Sequence, residues 1–106
     1  MRDLAFLHAA LSDETRLRLL NLMKHGEICV CSLQEVLGIN QPKISRHLAY
    51  LKRAGVVESR RYGKWKYYRL KKLNGDLDRI LSETLICVGR ETQAINDNQR
   101  LKRVGC

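Results

Sequence analysis

Apolar residues recur at helical spacing near the start of the chain. Leu4, Leu7 and Leu11 lie three or four positions apart, which predicts a first amphipathic helix. A second leucine-rich helix is predicted to begin after Ser12, whose hydroxyl suits a helix N-cap, and to end before Gly26. The chain therefore opens with two helices that each have an apolar face.

A short helix and a longer basic helix follow, separated by a glycine. Residues 32–37 are predicted to form the short helix, with Ser32 as its cap and Gly38 in the turn that ends it. The longer helix is predicted over residues 41–53, with Pro42 just inside its start, where a missing N–H costs nothing. A short helix joined by a tight turn to a basic helix is typical of a helix-turn-helix.

Two runs of alternating residues come next. Residues 56–61 and 65–70 are joined through a glycine-containing turn, which predicts a β-hairpin that would be the wing of the helix-turn-helix. Trp65 and Tyr67 are predicted to point inward and to pack on the helices, because the hairpin needs apolar side chains on its inner face. The alternative is that the hairpin aromatics, Tyr62, Trp65, Tyr67 and Tyr68, stack on bases.

The remainder of the chain is a helix followed by a polar segment. Apolar spacing over residues 77–88 predicts the last helix, and the polar residues after Arg90 predict a frayed helix or a tail. The predicted fold is mainly α with a small β-hairpin. It is a winged helix-turn-helix domain of residues 1–90, followed by a polar C-terminal tail of residues 91–106.

The positive charge of the chain is concentrated in one block. The net charge is +9 over 106 residues, but residues 41–72 alone hold eleven Lys or Arg and one acid, a local charge of +10. The other 74 residues carry nine basic and ten acidic side chains. Because the basic block coincides with the helix-turn-helix pattern, it predicts a surface that faces the phosphates of double-stranded DNA.

Two groups of residues are predicted to contact DNA. A recognition helix presents the polar residues of its N-terminal half to base edges in the major groove, which here are Gln41, Lys43, Ser45, Arg46, His47 and Tyr50. Arg46 suits guanine and Gln41 suits adenine. The hairpin is predicted to contact phosphates or a neighbouring minor groove through Arg60, Arg61, Lys64 and Lys66.

The segment Cys29-Val30-Cys31 is the most distinctive chemical feature of the sequence. Residues two apart lie about 200° apart around a helix but point the same way in an extended chain, and this pair lies where a connector meets a helix. The positive helix end there favours thiolates, which select soft ions. The pair is predicted to be a ligand site. The alternative is that either cysteine is a small buried hydrophobe.

The other cysteines are less distinctive. Cys87 falls on the apolar stripe of the last helix and is predicted to be packed core, whereas Cys106 is either an incidental exposed thiol or a mobile third ligand. A closed zinc site is disfavoured because the histidines do not complete four ligands in paired spacings. No nucleophile–base pair, phosphate loop or paired carboxylates stand out, so an enzyme is not expected.

The location of the protein is predicted from what the sequence lacks. No apolar run approaches the roughly 20 residues that span a bilayer, and the N-terminus has neither the basic start nor the cleavage site of a signal peptide. We therefore expect a cytoplasmic protein whose cysteines stay reduced and which has no membrane partner.

The assembled motifs resemble the arsenic-repressor (ArsR/SmtB) family of winged-helix metal sensors, over residues 4–88. The segments that carry the resemblance are Ser12-Asp13-Glu14-Thr15-Arg16-Leu17, Glu27-Ile28-Cys29-Val30-Cys31-Ser32-Leu33, Gln41-Pro42-Lys43-Ile44-Ser45-Arg46-His47-Leu48, Ala54-Gly55-Val56-Val57 and Arg61-Tyr62-Gly63-Lys64. The resemblance implies a homodimeric transcriptional repressor that leaves its operator when trivalent arsenic or antimony binds.

The chain departs from the family's arsenic sites at one position. Those sites often carry a third cysteine three positions after the second, where this chain has Gln34. The third sulfur then comes from Cys106 or Cys87, from either protomer, or a small thiol or water completes the site. A site of two sulfurs would also suit an organoarsenical. Relatives with zinc between their last helices use acids and histidines, and this chain has Asp76 and Asp78 there but no histidine.

These features suggest a mechanism and one rival. The helices of residues 4–11 and 77–88 would form the dimer core, and binding at Cys29 and Cys31 would bend the short helix and displace the reading helix. In the rival hypothesis the chain is a thiol-redox-sensing winged-helix regulator, in which Cys29 and Cys31, or one of them with Cys106, are oxidised instead.

Overall fold

The computed structural model describes residues 1–104. This part of the chain forms six helices and three short strands. They are α1 (Arg2–Ala10), α2 (Glu14–Met23), β1 (Ile28–Cys29), α3 (Val30–Leu37), α4 (Gln41–Arg53), β2 (Val57–Tyr62), β3 (Trp65–Leu70), α5 (Gly75–Gly89) and α6 (Thr92–Leu101). The prediction of a mainly helical, winged helix-turn-helix fold is confirmed.

The apolar stripes of the helices meet in one core. Leu19, Leu20 and Leu22 of α2 are fully buried, and they pack in the same cluster as Leu33 of α3 and Leu48 of α4. The burial of α2 on this scale is what its wide leucine face predicts. None of the helices within residues 1–104 has both the length and the apolar character needed to cross a bilayer.

The starts of two helices differ from the prediction. The N-cap of α2 is Asp13 rather than Ser12, and its carboxylate accepts a hydrogen bond from the backbone N–H of Arg16 at 3.0 Å. Helix α3 begins at Val30, two residues earlier than predicted, with Cys29 as its extended N-cap residue. Helix α3 therefore follows β1 with no residue between them.

The sheet has three antiparallel strands in the order β1-β3-β2, one more than the predicted hairpin. The extra strand is β1, in the segment predicted to be a connector, and it pairs Ile28 with Tyr68 and Cys29 with Tyr67. Two residues carry too little periodic signal to be recognised as a strand, because only the pairing with β3 defines them.

The aromatic side chains that face the core differ from those predicted, because of the register of the hairpin. Tyr68 is the aromatic that packs into the core, at 5% exposure, whereas Trp65 is 39% exposed and Tyr67 is half-buried. Side chains alternate between faces along a strand, so burying Tyr68 turns Trp65 and Tyr67 to the outer face. The prediction that Trp65 and Tyr67 are core residues is wrong.

The polar segment after Arg90 folds into a regular helix instead of the predicted frayed helix or tail. Helix α6 packs against α2 and α3, with Ala94 and Asp97 buried on its inner side. Asp97 accepts two hydrogen bonds from Arg18 of α2, at 2.8 and 2.9 Å, and one from Gln93 at 3.0 Å. Helix α6 is thus held by an ion pair and not by the apolar stripe from which a buried helix is usually predicted.

Candidate nucleic-acid interface and cysteine site

Helices α3 and α4 are joined by a turn that sets the start of α4. Gly38 ends α3 with φ 66° and ψ 29°, a left-handed conformation that glycine adopts without strain. Asn40 then caps α4, since its side-chain oxygen accepts a hydrogen bond from the N–H of Lys43 at 3.0 Å. The predicted helix-turn-helix is present, and its second helix begins where the sequence indicates.

Helix α4 presents a polar face to the exterior. Ile44, Leu48 and Leu51 are buried on its inner side, whereas Gln41, Lys43 and Arg46 are exposed. The half-buried Ser45 accepts a hydrogen bond from the Gln41 side-chain amide at 2.7 Å. The structure therefore brings these four predicted base-reading residues together at the N-terminal half of one helix.

His47 does not belong to this exposed face. Its side chain is 16% exposed, and its Nδ1 lies 3.9 Å from an Asp13 carboxylate oxygen and 3.4 Å from Arg16 Nη1. Burial lowers the pKa of His47, and the positive charge of Arg16 lowers it further, although Asp13 opposes both. His47 is thus placed to link α4 with the start of α2.

Arg16 is a residue of this region that the sequence analysis missed. Its guanidinium lies 4.2 Å from the ring centroid of Tyr50, and it donates hydrogen bonds to the backbone carbonyls of Ala9 and Ala10 at 3.1 and 3.0 Å. These partners are two carbonyls at the end of α1 and a ring on α4. No local sequence signal identifies such partners, because they lie on two elements other than the helix that carries Arg16. Tyr50 itself is 36% exposed at the edge of the reading face.

The predicted cations of the wing fall into three environments. Arg60 is held by Glu27 through two hydrogen bonds of 2.8 and 2.7 Å, which lower the pKa of Glu27. Lys66 is half-buried, with its Nζ 5.4 Å from the ring centroid of Tyr68. Arg61 and Lys64 are exposed. Arg61 and Lys64 are therefore the wing cations best placed to meet phosphates.

Cys29 and Cys31 converge at the start of α3. Their Sγ atoms are 2.8 Å apart, well beyond the ~2.05 Å of a disulfide bond between them. Cys29 is buried in an extended conformation, and Cys31, in the first turn of the helix, is half-buried. The change from extended to helical backbone lets residues two apart point to one side. The structure thus brings the two predicted ligands together.

The two other cysteines differ in what is described of them. Cys106 lies outside the described residues. Cys87 is exposed, so its prediction as packed core is wrong; it lines a cavity of about 530 Å³ between α2, α5 and the start of α6. Within residues 1–104, no three His, Cys, Asp or Glu side chains cluster closely enough to hold a metal ion. The described chain therefore offers two sulfurs at the Cys29 site.

Asp76 and Asp78 at the start of α5 have partners of their own. Asp76 accepts a hydrogen bond from Arg79 at 2.6 Å, and Asp78 accepts one from the backbone N–H of Leu73 at 3.4 Å.

Comparisons with known proteins agree with this geometry. Residues 13–59 match the family described as "Bacterial regulatory protein, arsR family". The chain is 42% identical over 102 residues to the arsenical resistance operon repressor of Escherichia coli K12, covering 94% of this chain and 86% of that protein. It is 54% identical over 61 residues to the arsenic resistance transcriptional regulator ArsR1 of Pseudomonas putida, a match that spans 57% of this chain and 48% of the regulator.

A solved structure shows the same architecture. The homodimeric winged helix-turn-helix DNA-binding domain Mb0332 from Mycobacterium bovis superposes with a TM-score of 0.70 at 31% identity. The match covers 82% of this chain and 79% of that one. Helix-turn-helix, wing and the flanking helices are therefore features shared with a DNA-binding domain.

Proposed function

Because this chain belongs to the ArsR family of bacterial regulatory proteins, which are DNA-binding transcriptional regulators and not enzymes, we propose the following function. It represses transcription as a homodimer and leaves its operator when trivalent arsenic or antimony binds Cys29 and Cys31. The observation that carries the proposal is the 2.8 Å separation of the two Sγ atoms beside the helix-turn-helix. The arsenical resistance repressor of E. coli, which is similar over 94% of this chain, supports the choice of ligand.

The basic face supplies the contact with DNA. Gln41, Lys43 and Arg46 of α4 would face base edges in the major groove, while Arg61 and Lys64 of the wing would contact the backbone. In a dimer, two copies of α4 read half-sites about one helical turn apart. Neutralising phosphates releases counterions, so the affinity for DNA falls steeply with salt.

The geometry of the cysteine pair explains why ligand binding would disturb the protein. A thiophilic centre binds sulfur at about 2.3 Å, so at ordinary bond angles two sulfurs around it stand roughly 3.3–3.8 Å apart. The Sγ atoms lie closer than that, at 2.8 Å. Binding would therefore fix the spacing of the two side chains and constrain the junction between β1 and the first turn of α3.

Three contacts would carry this constraint to the DNA-binding elements. Helix α3 packs directly on α4, and β1 pairs with β3 of the wing through Cys29 and Tyr67. The ion pair between Glu27 and Arg60 adds a second link from the cysteine segment to the wing. A ligand that favours the DNA-free shape weakens DNA binding, and DNA weakens ligand binding by the same factor.

We propose that Cys106 supplies the third sulfur, because the helix that precedes it in the chain, α6, packs on α3. Helix α6 runs beside α3, and Arg100 donates a hydrogen bond to the carbonyl oxygen of Glu35 at 3.3 Å. Glu35 is one helical turn beyond Cys31 on α3. Cys87, by contrast, lines the separate cavity between α2, α5 and α6.

An anaerobic titration of the reduced protein with arsenite tests the proposal. The sulfur-to-arsenic ultraviolet absorption and the intact mass would report uptake of one arsenic per protomer. We expect Cys29→Ser and Cys31→Ser to abolish stoichiometric uptake and Cys106→Ser to weaken it. The matched control is Cys87→Ser, which should bind like the wild type. If the wild type takes up no arsenite or antimonite, the proposed effector is wrong.

The same close approach of two sulfurs also supports a redox sensor as the second candidate. Hydrogen peroxide would oxidise the two thiols to a disulfide, and would itself be reduced to two molecules of water. Peroxide, rather than arsenite, would then release labelled DNA, and a dithiol would restore binding. Release by arsenite in the absence of any oxidant distinguishes the metalloid sensor from this alternative.

A further inference from the structure

The tip of the wing carries two exposed aromatic side chains. Tyr62 and Trp65 are the last pair of the β2–β3 ladder and flank the Gly63-Lys64 turn. Directly opposed residues of an antiparallel pair lie on the same face of the sheet, so the two rings are neighbours. Tyr62 is 68% exposed and Trp65 is 39% exposed. A pair of large rings left in water at a loop tip indicates a surface that contacts something.

The register shows that these rings do not belong to the core. Tyr68, Val57 and Leu70 define the inner face of the hairpin, where Tyr68 and Val57 are buried. Tyr62 and Trp65 lie on the opposite face, together with Tyr67. Packing against the helices therefore gives no reason for either ring to be at the tip.

Cations lie beside the rings of this pair. Lys64 Nζ is 5.2 Å from the ring centroid of Trp65, and the Arg60 guanidinium is 6.0 Å from that of Tyr62 and 5.0 Å from that of Tyr67. Arg60 is itself held by Glu27. The rings thus stand within a positively charged surface, which favours an anionic partner over an apolar one.

The base of the wing is tied to the reading helix. Lys52 near the end of α4 donates a hydrogen bond to the Ser59 hydroxyl of β2 at 2.9 Å, and β2 packs on α4. The hairpin follows α4 directly in the chain, so the wing and the basic face of α4 are neighbours. DNA bound along α4 would therefore continue towards the wing.

We propose that Tyr62 and Trp65 insert into the minor groove that flanks the half-site read by α4, and make operator choice depend on the base steps there. The inference rests on the proposed binding of operator DNA. Apolar wedges that enter the minor groove partly unstack a base step, and the cost depends on how easily that step deforms. A·T-rich and pyrimidine–purine steps in the flank would thus be preferred, without hydrogen-bond readout.

Phosphate contacts alone would not require the rings. Arg61 and Lys64 supply exposed positive charge at the same tip, and such contacts position the protein without distinguishing sequences. The two aromatic side chains are what adds a sequence-dependent term at the wing.

The chain contains a single tryptophan, so the fluorescence of Trp65 reports directly on the tip. The probe is a dye-labelled duplex that the reduced protein selects from a randomised pool. Anisotropy of the dye measures binding, and Trp65 emission with acrylamide as quencher measures contact in the same samples. We expect saturating duplex to quench Trp65 emission and to protect the ring from acrylamide.

Flank variants of the duplex test the specificity. With the half-sites kept constant, we expect the wild type to bind an A·T-rich flank roughly tenfold more tightly than a G·C-rich flank. Tyr62→Ser combined with Trp65→Leu should remove this preference and keep the salt dependence. The matched control, Lys64→Ala, should weaken both duplexes alike and lower the salt slope by about one. Far-ultraviolet circular dichroism verifies that each variant is folded.

The outcomes separate this inference from the proposed function. If the anisotropy saturates while Trp65 emission and acrylamide access stay unchanged, the wing inference is overturned and DNA binding stands. A flank preference that survives in the double variant overturns it as well. If no duplex is selected and no anisotropy change occurs, the proposed binding of DNA fails first.

Discussion

Arg16 and His47 join the reading helix to the first two helices of the chain. Arg16 contacts the carbonyl end of α1 and the ring of Tyr50, while His47 lies between Asp13 and Arg16. A charged His47 would place a second positive charge beside Arg16 in a mostly buried position. The neutral form of His47 is therefore the one that fits this junction.

This environment predicts a pH dependence of stability. The folded protein lowers the pKa of His47 below its ordinary value of 6.5, so the unfolded chain binds more protons as the pH falls through this range. The free energy of unfolding should therefore decrease from pH 7 to pH 5. Urea denaturation across this interval measures the slope. His47→Gln should flatten it, and a slope unchanged by that substitution would contradict the assignment.

The exposed His8 provides the matched control. His8→Gln on α1 removes a histidine from the surface and should keep the slope of the wild type.

Asp13 affects the stability of the fold in a lower pH range. Although its partial burial raises its pKa, the N–H of Arg16 and the charge of His47 lower the pKa below 3.8 overall. The ionised Asp13 carboxylate therefore stabilises the fold above its ordinary pKa of 3.8, and this stabilisation is lost as the pH falls through the lower pKa of the folded state.

At the scale of elements, α6 is docked on α2 by one ion pair. Asp97 is completely buried and accepts hydrogen bonds from Arg18 and Gln93, and the bond to Asp97 raises the pKa of Arg18. Burying a carboxylate is costly unless it is paired, so the docking of α6 depends on both partners. The same helix also contacts α3, because Arg100 donates a hydrogen bond to the carbonyl oxygen of Glu35.

Removing one partner should therefore destabilise the fold. We expect Asp97→Ala to lower the free energy of unfolding by about 3 kcal/mol, because the Arg18 guanidinium loses its carboxylate at a mostly buried site. Urea denaturation measures the change. Asp76→Ala breaks an exposed pair with Arg79 on α5 and should cost at most about 0.5 kcal/mol. Equal losses in the two variants would show that α6 does not depend on Asp97.

At the scale of the whole molecule, α1 and α5 form an outer layer that keeps apolar side chains in solvent. Phe6 of α1 is 49% exposed and Ile86 of α5 is 48% exposed, although the two helices contact each other. The apolar spacing of these two helices predicts that they form the dimer core. The homodimeric M. bovis domain shares the fold, and the location of the interface stays a prediction.

Charging this layer should separate the protomers. Phe6→Glu combined with Ile86→Glu places four carboxylates in the proposed dimer interface, and we expect a monomer in sedimentation velocity at micromolar concentration. DNA affinity should fall as well, because a monomer reads one half-site. Tyr62→Ser on the wing removes a comparably exposed ring and should leave the dimer intact. A dimer that survives the double substitution would place the interface elsewhere.

The sequence by itself determined the order of helices, the helix-turn-helix and the basic face. These follow from local rules: apolar spacing, the Asn40 cap and the stop at Gly38 each act within a few residues. The close approach of the Cys29 and Cys31 side chains also has a local cause, because Cys29 is extended and Cys31 lies in the first helical turn.

Tertiary structure alone decided what depends on distant partners. The strand at Cys29 exists because β3 pairs with it, and the hairpin register that buries Tyr68 and exposes Trp65 is set by the core beneath it. Likewise, the sequence of α6 is typical of a polar tail, and the segment packs as a helix because Arg18 of α2 pairs with Asp97. His47 leaves the reading face for the same reason, since Asp13 and Arg16 reach it from another helix. Contacts between residues far apart in the chain produce no periodic pattern in the sequence, so they cannot be predicted from it.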